Sequence, residues 1–234
     1  FSMTEIEVFE NSQCNTKDKL RNFAKYVPRQ SIARFLCQIE IFKRQLEIKG
    51  SIVECGVHHG GGLMAWAKLS STFEPYNYHR KIIGFDTFEG FPSVDELDGN
   101  GDSVHIGAFS ENYDTYNELL ECVTAYNSNR FINEINKIEL IKGDASKTIP
   151  KYVKDNQHLL VSLLYLDFDI YRPTVVALEE ILPRMPKGAI VAFDEVNNSD
   201  WPGETMAMME TMGLKLGRLE NFSFEPNISF VQLD

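Results

Sequence analysis

Two apolar runs that each end in acid constrain this chain more than any other feature. In the first, Leu163-Leu164-Tyr165-Leu166 leads into Asp167-Phe168-Asp169-Ile170-Tyr171. In the second, Ala189-Ile190-Val191-Ala192-Phe193 leads into Asp194-Glu195. A strand that is apolar at every position must be covered on both faces, which is the condition of a parallel sheet with crossover helices. Two such strands bring four carboxylates to one sheet edge, where oxygen ligands suit a hard cation.

The remaining sequence supplies the alternation that such a sheet needs. Its patterning predicts strands at 51–56, 81–86, 137–142, 161–168 and 189–194, with helices at about 61–71, 113–128, 173–184 and 203–212. The tail predicts two further strands, Leu214–Leu219 and Ile228–Leu233, bridged by a turn-rich Asn221–Pro226 and paired as an antiparallel hairpin at the sheet edge. Residues 1–30 read as polar and irregular, apart from a short helix around 17–26. From 31 to 48, Ile32, Phe35, Leu36, Ile39, Phe42 and Leu46 recur at helical spacing, and Lys49-Gly50 closes the helix. Residues 1–50 are thus expected to form a helical extension, a lid or dimer contact, on a domain spanning 51–234, with the helix at 31–48 read first as a structural cover of the sheet or of a dimer partner. The segment 87–112 has no periodicity; a loop of that length after a strand belongs at the ligand edge of an open sheet.

Composition excludes several classes. A net charge of −11 without a basic cluster argues against nucleic-acid partners, whose phosphates must be neutralised. No apolar run approaches the ~20 residues that span a bilayer, and nothing at the N-terminus resembles a signal peptide. Four dispersed cysteines without a Cys-x-x-Cys pair indicate neither zinc cluster nor disulfide framework, so a cytoplasmic setting is expected.

Upstream of the acid-ended runs, Glu54-Cys55-Gly56-Val57-His58-His59-Gly60-Gly61-Gly62 reads as a strand entering a glycine-rich turn and a helix. Glycines let backbone approach a ligand, and a helix start offers free N–H groups. The spacing is not Gly-x-Gly-x-x-Gly, so a carboxylate-bearing ligand fits better than a dinucleotide diphosphate; a tight structural turn is the plain alternative. The next strand ends in Asp86, where an acid can accept ribose hydroxyls, and the third ends in Asp144-Ala145, beside the expected position of an adenine edge. Strand ends carrying Glu54, Asp86 and Asp144 resemble the pattern of class I S-adenosylmethionine-dependent methyltransferases.

A narrower resemblance follows from four motifs in order: Gly56-Val57-His58-His59-Gly60-Gly61, Phe85-Asp86-Thr87-Phe88-Glu89-Gly90-Phe91-Pro92, Leu166-Asp167-Phe168-Asp169-Ile170-Tyr171-Arg172-Pro173-Thr174 and Phe193-Asp194-Glu195. Over roughly residues 50–212 the chain resembles the macrocin and mycinamicin sugar O-methyltransferase family. The resemblance implies an α/β, Rossmann-like class I fold with a mostly parallel seven-stranded sheet, a C-terminal antiparallel hairpin and helices on both faces. It implies S-adenosylmethionine and a divalent cation, usually Mg2+, acting on a sugar hydroxyl, with a sugar or sugar nucleotide as acceptor and a homo-oligomeric assembly. It assigns the cation to Asp167, Asp194 and Glu195, and the general base to Asp169, with Asp167 catalytic through the cation. Cofactor contacts are expected from Glu54, Gly56, His58, Gly60, Asp86, Thr87, Asp144, Ala145 and Asp167. Acceptor contacts are expected from His59, Tyr171, Asn197 and Trp201, although core packing is the favoured reading of Tyr171.

One departure stands out. The family pairs Asp with Asp where this chain has Asp194-Glu195, and the extra methylene moves a carboxylate by more than about 1 Å. His58 and His59 also replace bulky and basic residues, and either one alone reads first as a capping or solvent-facing side chain, ahead of a contact to cofactor carboxylate or substrate. Rival readings are a catechol-type enzyme, a metal-independent methyltransferase, and a non-catalytic protein that binds S-adenosylmethionine.

Overall fold

A computed structural model describes residues 4–215 and 217–234. Seven strands, β1 (Ser51–Cys55), β2 (Ile82–Asp86), β3 (Ile138–Lys142), β4 (Val161–Leu166), β5 (Ile190–Phe193), β6 (Leu219–Phe222) and β7 (Glu225–Gln232), form one sheet in the order β3-β2-β1-β4-β5-β7-β6. β1 to β5 are mutually parallel, and β7 pairs antiparallel with both β5 and β6. The chain runs outward through β1, β2 and β3, then returns to the other side of β1 with β4. That reversal opens a crevice at the carboxyl ends of β1 and β4, the usual ligand position of such sheets.

The continuous apolar runs divide their side chains between two cores. Val53, Leu164, Leu166, Val191 and Phe193 face one layer, built from α6 (Ala145–Asp155), α7 (Tyr171–Ile181) and α8 (Gly203–Thr211). Ile52, Leu163, Tyr165, Ile190 and Ala192 face the other, built from α3 (Arg29–Gln45), α4 (Gly61–Phe73) and α5 (Thr115–Asn127). Every residue of β1 and β4 is buried. α3 buries Ala33, Cys37, Ile41 and Phe42, so it belongs to the sheet's cover. Ahead of it stand α1 (Glu5–Asn11) and α2 (Thr16–Arg21), neither of which buries a residue.

Four local expectations change. α1 occupies part of the segment read as irregular, started by a capping box between Thr4 and Glu7. α6 was hidden by Pro150 in its middle, yet Ala145, Ile149 and Val153 give it a buried stripe and Asp144 caps its start. The hairpin turns more tightly than expected: β6 begins at Leu219, and Phe222 pairs with Glu225 inside the stretch read as a bridge. Leu214 and Lys215 lie in a turn, and Leu216 falls outside the described residues. Finally, β4 ends at Leu166, two residues short of the predicted end, because the backbone departs toward the side chain of Glu204 at Phe168.

The loop after β2 is folded on itself. Phe91 and Ala108 are joined by backbone hydrogen bonding at 3.1 Å, and Gly107 N–H donates to Phe91 O at 2.9 Å. Asp98, 1% exposed, accepts from the N–H groups of Asp95 (2.6 Å) and Tyr171 (2.5 Å), anchoring the loop to the start of α7.

Candidate active site

A cavity of about 530 Å³ lies at the crevice, within the size range of small-molecule sites. The turn after β1 forms one wall. Asp86 shapes that turn: its Oδ2 accepts from the N–H groups of Val57 (2.7 Å) and His58 (2.8 Å), and its Oδ1 from Phe88 (2.6 Å). These bonds hold His58 in the left-handed region at φ 48°, between Gly56 (φ 88°) and Gly60 (φ 83°). Thr87 closes the next bend by donating to Gly90 O at 2.6 Å. Glu54 lies at the base, 3% exposed; burial pushes its carboxyl up to about 8, opposed by Trp66 and Arg34. Its Oε2 is buried without a hydrogen-bond partner among the described residues.

The opposite wall carries the acids. Asp167 follows β4 and Asp194 follows β5, and a single arginine joins them. Arg34 of α3 places Nη2 2.7 Å from Asp167 Oδ2 and Nη1 2.8 Å from Asp194 Oδ1. Burial works against the guanidinium charge, but Tyr165, Asp194 and Asp167 hold Arg34 above its ordinary value. Tyr165 also donates its hydroxyl to Asp194 Oδ1 at 2.8 Å. Asp169 lines the cavity from a left-handed backbone position, φ 61°, beyond the end of β4. Burial, then Glu195 and Asp194, push its carboxyl up to about 7.

Behind this wall Glu204 is fully buried. Its Oε1 accepts from Phe168 N–H at 3.2 Å and its Oε2 from Glu195 N–H at 3.1 Å, so one carboxyl links the turns after β4 and β5. Burial raises Glu204 well above the carboxylate range. Phe91, Phe109 and Trp201 cluster over the opening, with ring centroids 5.3–6.0 Å apart.

A family model for macrocin O-methyltransferases (TylF) matches residues 10–212. The chain belongs to the macrocin O-methyltransferase family. It is therefore an S-adenosylmethionine-dependent O-methyltransferase. The solved structure of the calicheamicin methyltransferase CalS11 is similar at 33% identity and a TM-score of 0.94, over 97% of this chain and 89% of that one. The apo form of CalS11, described as a TDP-rhamnose 3'-O-methyltransferase, is similar at 30% identity and a TM-score of 0.85, over 97% and 91%. The O-methyltransferase NovP shares the fold at 17% identity and a TM-score of 0.65, over 86% and 80%. No curated protein sequence matches the chain.

In this methyltransferase the cavity gathers most of the residues singled out in the sequence. Glu54, Gly56, His58, His59, Asp86, Thr87, Ala145, Asp167, Asp169, Glu195 and Trp201 all line it. Others serve its frame. Gly60 makes the turn against Leu119, and Asp144 caps α6 by accepting from Ser146 N–H at 3.0 Å, leaving Gly143 and Ala145 as the wall. Tyr171 donates its hydroxyl to Glu210 and is not part of the wall, and Asn197 is exposed with its N–H on Thr205. Glu195 does not converge with Asp167 and Asp194 within 4.8 Å as one group, and it accepts from the Asn198 side chain. Among the described residues, the only group of three metal-ligand types converging within 4.8 Å is His58, His59 and Glu111. Arg34, Glu204 and Asp98 gave no signal in the sequence; each is defined by a partner far away along the chain.

Proposed function

We propose that this O-methyltransferase acts on a hydroxyl of a sugar, carried on a nucleotide or another small molecule, with a divalent cation at Asp167 and Asp194. The observation that carries the reading is one cavity flanked by the β1 turn on one side and by Asp167 and Asp169 on the other. Two features of the first wall suit S-adenosylmethionine. The partnerless oxygen of Glu54 suits a cationic amine, and a Cβ placed on Gly61 would meet nothing within 4 Å, leaving room for a ligand against the backbone. The donor set of the second wall suits Mg2+, which takes one or two carboxylates and otherwise keeps water. Two carboxylates already converge on one cationic group, Arg34, and the same oxygens would hold the ion once that side chain moves aside.

S-adenosylmethionine supplies an electrophilic methyl group, and a bound divalent cation supplies positive charge that favours ionisation of a hydroxyl. The chain's own residues do the rest. Asp169 accepts the hydroxyl proton on its carboxylate, with an affinity near neutrality that suits a general base. Asp86 fixes the turn that orients the cofactor, and Phe91, Phe109 and Trp201 exclude water and offer apolar surface to the acceptor. The activity of CalS11 as a TDP-rhamnose 3'-O-methyltransferase supports a nucleotide-linked sugar as acceptor. The test is methyl transfer from labelled S-adenosylmethionine to a panel of TDP-sugars and catechols, with and without a chelator. Transfer confined to catechols would overturn the sugar reading.

A second reading has its own support. Arg34 already neutralises the acid pair, so the reaction could proceed without a metal, the guanidinium taking the cation's place. Full activity in the presence of chelator would select it.

A further inference from the structure

We propose that His58, His59 and Glu111 form a binding site for a borderline divalent cation of the zinc class at the mouth of the cavity, separate from the Asp167 and Asp194 pair. His58 Nε2 lies 3.5 Å and His59 Nε2 3.2 Å from Glu111 Oε1, and the three ligand atoms lie within 4.8 Å of one another. Ligands at ~2.0–2.2 Å from a tetrahedral ion stand roughly 3.3–3.6 Å apart. The two histidine–carboxylate spacings are already close to the edges of such a polyhedron.

A second observation concerns orientation. The Tyr113 hydroxyl lies 2.9 Å from His59 Nδ1, which turns Nε2 toward Glu111. Metal-bound histidines are held in this way, the outer ring nitrogen engaged so that the inner one faces the ion. The His59 and Tyr113 rings are also stacked, with centroids 6.2 Å apart at 19°, and His58 packs beside His59 at 3.9 Å. The left-handed backbone at His58 lets two successive histidines present the same nitrogen to one point. Side-chain exposures of 47%, 48% and 34% leave solvent access for a water to complete the coordination.

The donor chemistry separates this site from the acid pair. Two imidazoles and one carboxylate suit Zn2+, Co2+ or Ni2+, whereas Mg2+ selects oxygen donors. The histidines sit on the turn after β1, and Glu111 ends the long loop after β2. An ion there would tie the loop to the turn, holding the mouth of the cavity closed beside Phe109, whose ring packs against His58 at 6.3 Å. The site is independent of the methyl-transfer reading and needs no cofactor to form.

The test is titration of the full chain with Co2+, followed by absorbance, and with Zn2+, followed by calorimetry, both in excess Mg2+. The expected result is one equivalent of Co2+ with tetrahedral absorption bands. His59→Ala and Glu111→Gln should each weaken Zn2+ by at least about 100-fold, because loss of an outer-shell partner alone costs roughly 10–100-fold. Asp167→Asn should leave that affinity unchanged, and hydrogen exchange across 105–113 should slow with Zn2+ only when the histidines are intact. His58→Ala serves as a second variant should either of the others fail to fold. Binding that persists in the histidine and glutamate variants, disappears in Asp167→Asn, or is absent from the unsubstituted protein overturns the proposal.

Discussion

Arg34 Nη2 sits 2.7 Å from Asp167 Oδ2 while Nη1 of the same guanidinium sits 2.8 Å from Asp194 Oδ1. One side chain from the third helix thus holds together the ends of two central strands more than 130 residues away in sequence. On the proposed reading a divalent cation binds the same oxygens, so the guanidinium and the ion would compete for them. Arg34→Gln is expected to tighten Mn2+ binding by about tenfold, equivalent to ~1.4 kcal/mol. Electron paramagnetic resonance of free Mn2+ measures it; an unchanged or weaker affinity would show that arginine and metal do not share the position.

The proposed role of Asp169, which lines the cavity, is to take the acceptor's proton. Asp169→Asn should lower kcat by roughly 10²–10⁴ while leaving S-adenosylhomocysteine affinity within about twofold. Calorimetry and single-turnover methyl transfer separate the two effects. Undiminished transfer would remove Asp169 from the chemistry.

Glu54 gives a pH dependence of folding. Its folded value is raised from 4.5 to about 8 by burial. The folded state therefore holds a proton that the unfolded chain releases, and stability falls as pH rises across that interval. The contribution is complete below about 4.5 and lost by the time pH has passed through about 8. Glu54→Gln removes this dependence, so its Tm should gain on the unsubstituted protein steadily from pH 5 to pH 8. The same variant should bind S-adenosylhomocysteine about tenfold more weakly, a loss of ~1.4 kcal/mol. Parallel Tm profiles for the two proteins would contradict the buried-acid account.

Glu204 is a structural counterpart. Glu204→Ala strands the N–H groups of Phe168 and Glu195, each costing about 1–3 kcal/mol when buried without an acceptor. Glu204→Gln keeps one acceptor and should lose less. Urea unfolding ranks the pair, and equal losses would mean that volume, not hydrogen bonding, dominates.

Much of this was legible in the sequence, for a physical reason. Continuous apolar strands can sit only in a covered parallel sheet, and an acid after such a strand can only emerge at its end, so Asp86, Asp167 and Asp194 were placed by pattern alone. What escaped were partners. Arg34 looks like any charged residue on an amphipathic helix, and Glu204 like any acid in a helix's first turn; only the fold brings them to Asp167 and Phe168. Asp98 lay in a stretch without periodicity, and burial alone distinguishes it from its acidic neighbours. Asp167 and Asp169 share a wall, but through a left-handed turn that strand alternation does not describe.

Gly56 carries the last consequence. A Cβ there would overlap the carbonyl oxygen of Asp167, so the backbone of the glycine-rich turn rests directly on the backbone that bears the acids. Neither can be remodelled without displacing the other. Attempts to broaden the range of acceptors should leave this floor untouched and vary Phe91, Phe109 and Trp201, whose rings pack together in the cavity wall.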